Sequence, residues 1–290
     1  MNLLSNVSAS ADVSAVRIVI IHYNITQLPG TIVSWYLSLY LQSKEYTYLD
    51  QSNNGMKTLA LKVYPEENLV NNQIIDISLF KNLKLLEIHR FSCNVLTGLK
   101  NIRSQLEYLI CVRSVTNLKD VLENCGGDKV QGFLWNELKE AVFCHNSIDN
   151  LDTSLEFVPQ LSSIDLSHNC IQNAYYINCL SNLRYLNLGF NKIENVPVFN
   201  GQLCDTLEVL VLRNNYIDDI KELAALINLR DLDLSNNCLI EHNQLVPLSN
   251  LANLQRLILE GNPLSYHPKH RRKTVIITYC GNNQLDTKWF

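Results

Sequence analysis

The stretch LSSIDLSHNCI at residues 161–171 combines two patterns that point to different kinds of protein. His168, Asn169 and Cys170 are residue types with which thiol hydrolases perform catalysis, and the letters CHN return at residues 144–146. The apolar residues of the same stretch keep a fixed spacing around the asparagine, L-x-x-I-x-L-x-x-N-x-I. Because this spacing recurs along the chain, it decides the fold.

The template L-x-x-L-x-L-x-x-N-x-L fits the sequence six times in register. Its asparagines are Asn146, Asn169, Asn191, Asn215, Asn237 and Asn262. They lie 23, 22, 24, 22 and 25 residues apart, a period typical of leucine-rich repeats, in which each unit buries its apolar face only against its neighbours. We therefore predict an α/β solenoid with short parallel strands on the concave face, short helices or 3-10 turns on the convex face, and terminal caps.

Two degenerate repeats precede the six regular ones, which begin at residue 138. They are Leu83-Leu86-Ile88 and Leu106-Leu109-Cys111, with Phe91 and Ser114 in place of the asparagine, and a weaker third is Met56-Leu59-Leu61. The prediction is a repeat array over residues 56–264, an N-terminal cap over 1–55 and a C-terminal cap over 265–290. The short tail after the last repeat favours a truncated chain.

The segment 106–138 is about ten residues longer than a repeat requires. Within it, Leu118, Val121 and Leu122 have helical spacing, and a glycine pair follows that could end a helix. We expect a fuller helix within 117–128, followed by a tight turn and a loop.

The register assigns the histidines and asparagines of the opening stretch to the fold. Asn146 and Asn169 occupy the template asparagine, and the histidines before them stack one repeat apart, at about 5 Å. A thiol nucleophile needs a base within reach and a third group that orients it, and structural zinc needs four converging ligands. We predict no enzyme, no cofactor and no metal; a thiol hydrolase built on Cys144 or Cys170 stays as the alternative.

The outward strand positions of the concave face are the predicted partner-binding surface, because exposed apolar and aromatic groups favour a protein partner. The candidates are Tyr185, Asn187, Phe190, Val209, Val211, Arg213, Asp231, Asp233, Arg256 and Ile258. Arg213 and Arg256 flank the two aspartates. These charges either contact a partner or pair with one another across adjacent strands, and both interpretations are open at this point.

Composition limits the class of partner. With 24 basic and 28 acidic residues the formal net charge is −4, which argues against nucleic acid because phosphate binding needs a concentrated basic face. No run of about 18 uncharged apolar residues occurs, and the first fifteen residues lack the basic start of a signal peptide. We expect a cytoplasmic protein with a protein partner, no nucleic acid and no transmembrane segment.

The irregular part of the sequence is more specific than the repeats. SQLEYLICVRSVTNLKDVLENCGGD (104–128) resembles the N-terminal part of the serine/threonine kinase 11-interacting protein family, as do LDTSL (151–155), LSHN (166–169) and EGNPLSYHPKHR (260–271). The resemblance implies a non-enzymatic cytoplasmic scaffold that binds a serine/threonine kinase and influences where it resides; peripheral association with an organelle is open. Alternatives are a phosphatase-regulatory leucine-rich repeat subunit and a nischarin-like endosomal adaptor. The repeat length fits both alternatives, but the long segment 106–138 fits neither.

Overall fold

A sheet with one strand from each repeat runs along the described chain, which comprises residues 16–21, 59–65 and 74–267 of the computed structural model. In chain order the strands are β1 (Val16–Ile21), β2 (Ala60–Pro65), β3 (Ile75–Asp76), β4 (Leu85–His89), β5 (Leu96–Thr97), β6 (Tyr108–Val112), β7 (Glu140–Val142), β8 (Ser163–Asp165), β9 (Tyr185–Asn187), β10 (Val209–Val211), β11 (Asp231–Asp233) and β12 (Arg256–Ile258). Ten of them form one sheet in the order β1-β2-β4-β6-β7-β8-β9-β10-β11-β12, and β3 pairs with β5 separately. Every pairing in the large sheet is parallel except that of β1 with β2.

From β4 onward, short helices return the chain from each strand to the next. The α-helices are α1 (Leu99–Ile102), α2 (Lys119–Leu122) and α3 (Leu203–Thr206). The 3-10 helices are Cys93–Val95, Gly126–Asp128, Thr153–Phe157, Tyr175–Cys179, Lys221–Ala225, His242–Asn250 and Pro263–Tyr266. The predicted solenoid of short parallel strands and short helical return segments is confirmed.

The apolar template positions fill one continuous core between the strands and the return segments. In the stretch 161–171, Leu161 is 1% exposed and Ile164, Leu166 and Ile171 are 0% exposed. Each repeat leaves this face uncovered until the next repeat packs on it, so burial of apolar surface, at about 25 cal/mol per Å², drives the stacking of the array.

Each regular repeat closes its turn with the side chain of its asparagine, and Asn191 is representative. Its Nδ2 donates to the carbonyl oxygens of Leu166 and Leu188, both at 3.0 Å. Its Oδ1 accepts from the backbone N–H of Ile171 at 3.0 Å. The same connections recur at Asn169, Asn215, Asn237 and Asn262. The ladder gives buried backbone groups at the strand ends the partners that they would otherwise lack.

The degenerate repeat that has Ser114 in place of the asparagine gives its buried backbone groups fewer side-chain hydrogen bonds. The hydroxyl of Ser114 stands where the asparagine would be and lies 3.0 Å from the carbonyl oxygen of Ile88 and 2.8 Å from that of Val112. A serine has one donor where asparagine has two. Asn146 compensates from the next repeat, because its Oδ1 accepts from the N–H groups of Ser114 at 2.7 Å and Val115 at 3.1 Å.

The register expected for the weakest degenerate repeat, Met56-Leu59-Leu61, is wrong by two residues. β2 pairs with β4 so that Leu61 lies opposite Leu86, the second apolar position, although the template assigned Leu61 to the third. Leu59, expected in the core, is 38% exposed, and Met56 lies outside the described residues. Without an asparagine to mark the turn, the alternation of apolar residues fits two registers equally well.

The long segment between β6 and β7 departs from the expected helix. α2 is a single turn of four residues, and the chain then enters the 3-10 helix Gly126–Asp128. The predicted fuller helix is wrong because Cys125 and Gly126 adopt positive φ values of 53° and 60°, which end the α-helix early.

The CGGD sequence after α2 fixes the long segment to the preceding repeat. A Cβ on Gly126 would lie 2.5 Å from the carbonyl oxygen of Cys93, so a side chain has no room there. The carboxylate of Asp128 accepts from the N–H groups of Gly98 and Lys100, both at 2.8 Å, at the start of α1. Trp135 is fully buried and donates from Nε1 to the carbonyl oxygen of Leu122 at 2.9 Å. The segment is therefore a packed part of the solenoid.

The predicted N-terminal cap at residues 1–55 lies outside the described residues except for β1, which pairs along the outer edge of β2. The predicted C-terminal cap at 265–290 is described only as far as residue 267. The division of the chain into caps and repeats stays a prediction.

Candidate protein-binding face

The candidate residues lie in two rows that cross four adjacent strands. The parallel register places Tyr185, Val209, Asp231 and Arg256 side by side in one row. It places Asn187, Val211, Asp233 and Ile258 in the other. Alternation along each strand turns these residues away from the leucines of the core, so both rows form the surface of the sheet between β9 and β12.

The apolar part of this surface is half-buried. Val209 and Val211 occupy the middle of the two rows, and Tyr185 lies beside Val209. Burial is the main cause that raises the pKa of Tyr185, so its phenol is neutral at physiological pH. A neutral aromatic group beside two valines is the kind of surface that protein interfaces bury at their centre.

The charged part is already partly paired within the sheet. The guanidinium of Arg256 lies 3.3 Å from Asp231 (Nε to Oδ1), so the cross-strand interpretation holds for this pair. The carboxylate of Asp233 accepts from the backbone N–H of Ser235 at 2.9 Å and from its hydroxyl at 2.6 Å. Arg213 makes no ion pair with any acidic residue that the structure describes. Of the two interpretations of these charges, pairing across strands therefore applies to Arg256 with Asp231, and contact with a partner stays a prediction for Arg213.

Asn187 is used within the sheet as well. Its Nδ2 donates to the carboxylate of Asp165 at 3.0 Å, and its Oδ1 accepts from the N–H of Gly189 at 2.9 Å. Asp165 in turn accepts from the N–H of Ser167 at 2.8 Å. These bonds tie the end of β8 to the end of β9, so the side chain of Asn187 has little conformational freedom left to lose on binding a partner.

Phe190 stands just beyond β9 in a stack of rings. The ring of His168 lies 4.0 Å from that of Phe190, and the ring of His145 lies 4.1 Å from that of His168. Arg213 covers the other side of Phe190, with its guanidinium carbon 4.6 Å from the ring centroid. The expected stacking of the two histidines is present, but the sequence reasoning missed its continuation through Phe190 to Arg213.

The geometry around Cys144 does not support a thiol hydrolase built on that residue. Burial is the main cause that raises the pKa of Cys144 to about 12, so its thiol is protonated at neutral pH. His145 is engaged in the ring stack, and Asn146 in bonds to backbone groups. Over residues 59–65 and 74–267, no group of three or more metal-ligating side chains converges.

Large exposed apolar side chains lie away from the predicted rows. Tyr175 and Tyr176 begin the 3-10 helix Tyr175–Cys179 and contact each other edge to face at 5.8 Å between centroids. Val198, Ile227 and Val246 are also exposed. The repeat period contains a signal for these residues, because they fall outside the apolar template positions, whereas the predicted surface comprised residues of the strands and their ends. No helix in the described parts of the chain is long and apolar enough to cross a membrane.

Comparison with known proteins identifies the class. A family model described as leucine rich repeat matches residues 181–239. An internalin C2 from Listeria monocytogenes has a related structure, with a TM-score of 0.50 and 24% sequence identity over 70% of this chain and 80% of that one. The chain is therefore a leucine-rich repeat protein.

The sequence is more specifically similar to proteins named serine/threonine-protein kinase 11-interacting protein. It is 41% identical to the Gallus gallus protein over 221 residues, and 40% identical to the Homo sapiens protein over 220 residues. Each match covers 76% of this chain but only 21% and 20% of the respective relative. The resemblance expected from residues 104–128 and 260–271 is confirmed, and the chain spans about a fifth of the length of these relatives.

Proposed function

We propose that this chain is a non-enzymatic, cytoplasmic scaffold that binds a protein partner through the two rows on β9 to β12. The observation that carries the proposal is the valine and tyrosine centre of those rows, half-buried and bordered by the Arg256–Asp231 pair. An apolar centre with a polar rim is the general organisation of protein interfaces.

The names of the relatives suggest the partner. Proteins that share 40–41% identity over 76% of this chain are named for interaction with serine/threonine-protein kinase 11. We infer that the partner of this chain is a serine/threonine kinase and that binding influences where the kinase resides. This chain matches about a fifth of the length of those relatives, and the proposal assigns the kinase contact to this part.

The experiment is a pull-down of the purified kinase by residues 1–290. The double variant Tyr185→Ala/Val211→Asp removes the aromatic group and places a charge in the middle of the apolar centre. Ile227→Asp is the matched control, because Ile227 is 50% exposed and lies on the return segment outside the rows. Circular dichroism of each variant confirms folding.

We expect capture of the kinase by the unchanged chain and by Ile227→Asp, and loss of about tenfold or more in affinity for the double variant, as truncation at an interface centre produces. Equal capture by all three chains would overturn the assignment to β9–β12. Capture of a phosphatase catalytic subunit in preference to the kinase would overturn the partner class.

A further inference from the structure

A column of residues runs along the solenoid immediately beyond the ends of the strands. The residue before the template asparagine, or before Phe91 and Ser114 in its place, has a positive φ between 53° and 77° in eight successive repeats: Arg90, Arg113, His145, His168, Phe190, Asn214, Asn236 and Gly261. A repeated backbone conformation repeats the direction of the side chain, so these residues line up at one edge of the sheet. We call them the edge column.

Backbone hydrogen bonds hold the column in register. The N–H of His145 donates to the carbonyl oxygen of Ser167 at 3.0 Å, and the N–H of His168 donates to the carbonyl oxygen of Gly189 at 3.0 Å. The N–H of Phe190 donates to the backbone carbonyl oxygen of Arg213 at 2.8 Å. The ladder therefore continues past the strands, and the ring stack of His145, His168 and Phe190 is a consequence of this spacing.

The N-terminal half of the column consists largely of basic residues. Arg90 and Arg113 are exposed, and neither makes an ion pair within the described ranges. His145 and His168 follow in the next two repeats, and Arg213, also exposed, lies over Phe190. On a chain with a net charge of −4, these three exposed arginines reverse the sign of the charge locally, and the two histidines between them can add charge at lower pH.

We infer that the edge column from Arg90 to Phe190, together with Arg213 over the Phe190 ring, binds an acidic, extended segment of a polypeptide that runs along the solenoid axis. Neighbouring strands lie about 4.8 Å apart, so five steps from β4 to β10 span about 24 Å. An extended chain rises about 3.3 Å per residue, so about seven residues cover the column. This inference deepens the proposed function and rests on it, since it names the chemistry of a segment that the scaffold would bind.

A polypeptide fits this surface better than a nucleic acid. Two carboxylates lie on the strands of the repeats that supply the histidines: Glu140 at the start of β7 and Asp165 at the end of β8. A continuous phosphate backbone would meet these carboxylates and the overall negative charge at once. A peptide can instead place its acidic side chains opposite the arginines and direct neutral ones at the carboxylates.

The test is fluorescence anisotropy with residues 1–290 and three labelled probes of equal length. The probes are a ten-residue peptide of alternating glutamate and serine, the matching lysine and serine peptide, and a ten-nucleotide single-stranded uridine RNA. The variant Arg90→Glu/Arg113→Glu reverses two charges of the column. Lys81→Glu/Lys129→Glu makes the same change of net charge at exposed lysines outside it.

We expect the glutamate peptide to bind, and the binding to weaken by about tenfold or more in Arg90→Glu/Arg113→Glu but not in the lysine control. Binding should also tighten as the pH falls below about 6.5, because burial lowers the pKa of His168 and this ring gains its charge only there. The groups that face His168 are His145, Asp165 and Arg213, and the variant His145→Gln/His168→Gln should lose this pH dependence.

Equal affinity for the glutamate and lysine peptides, tighter binding of the RNA, or full binding by Arg90→Glu/Arg113→Glu would each overturn the inference. The kinase is not present in this assay, so the outcome separates the two ideas. A chain that binds the glutamate peptide but fails to capture the kinase retains the edge column and loses the proposed partner.

Discussion

Replacing Asn191 by alanine tests the asparagine ladder on which the stacking of the repeats depends. The side chain is 6% exposed, so water cannot take over its hydrogen bonds. The backbone N–H of Ile171 would lose the acceptor that it has at 3.0 Å. The carbonyl oxygens of Leu166 and Leu188 would each keep one donor, from Asn169 at 2.9 Å and from Asn215 at 3.0 Å.

The magnitude follows from these partners. A buried N–H without an acceptor costs about 1–3 kcal/mol, and each of the two lost carbonyl bonds about 0.5–1.5 kcal/mol. The sum is about 2–6 kcal/mol, a large part of the stability of a domain. Asn146 supplies a matched comparison, because it is only half-buried and water can reach the groups that it leaves. We expect Asn146→Ala to cost about 1–2 kcal/mol.

Urea unfolding followed by circular dichroism measures both variants. The free energy of unfolding should fall in both, and more in Asn191→Ala, with an unchanged slope against urea if the array still unfolds as one unit. A loss below about 1 kcal/mol for Asn191→Ala, or equal losses for the two variants, would refute the reasoning.

Three further predictions concern single residues. Gly126→Ala should lower the free energy of unfolding by about 2 kcal/mol more than Gly201→Ala does. Both glycines have φ near 60°, but only at Gly126 would an added Cβ meet backbone, 2.5 Å from a carbonyl oxygen. Equal losses in urea unfolding would contradict this. Burial is the main cause that lowers the pKa of His168 in the folded chain, so the unfolded chain binds the proton more readily. Stability should therefore be full above pH 6.5 and fall as the pH drops below it; His168→Phe should flatten this part of the pH profile, and an unchanged profile would exclude the histidine as its source. Cys144, with its pKa raised to about 12, should show no preferential alkylation by iodoacetamide at pH 7 when digests are measured by mass spectrometry, whereas stoichiometric labelling there would revive the thiol hydrolase.

The sequence was sufficient for the fold wherever a repeat contains its asparagine. Asn169 marks both the end of a strand and a buried turn, so it fixes which of its neighbours face the core. At Leu59 no such marker exists, and the alternation alone predicted the wrong register. The single turn of α2 could not be foreseen from helical spacing, because the positive φ values of Cys125 and Gly126 depend on their contacts with the preceding repeat.

The candidate surface was predictable to a similar extent. Strand alternation identified Val209 and Val211 as outward residues, and the pairing of Arg256 with Asp231 was one of the two interpretations considered. The position of Arg213 over Phe190 was not predictable, because it depends on side-chain directions in two different repeats. The edge column did carry a signal. Asparagine and glycine, which tolerate positive φ, occupy its last three positions.

The central claim, that a partner docks on the two rows of β9 to β12, is tested most directly by photo-cross-linking. A benzophenone amino acid at position 211 lies in the centre of the rows, and one at position 227 lies on the exposed return segment. With the purified kinase present, we predict a cross-linked species for position 211 and none for position 227. Cross-linking from position 227 alone would contradict the account and place the partner on the opposite side of the solenoid.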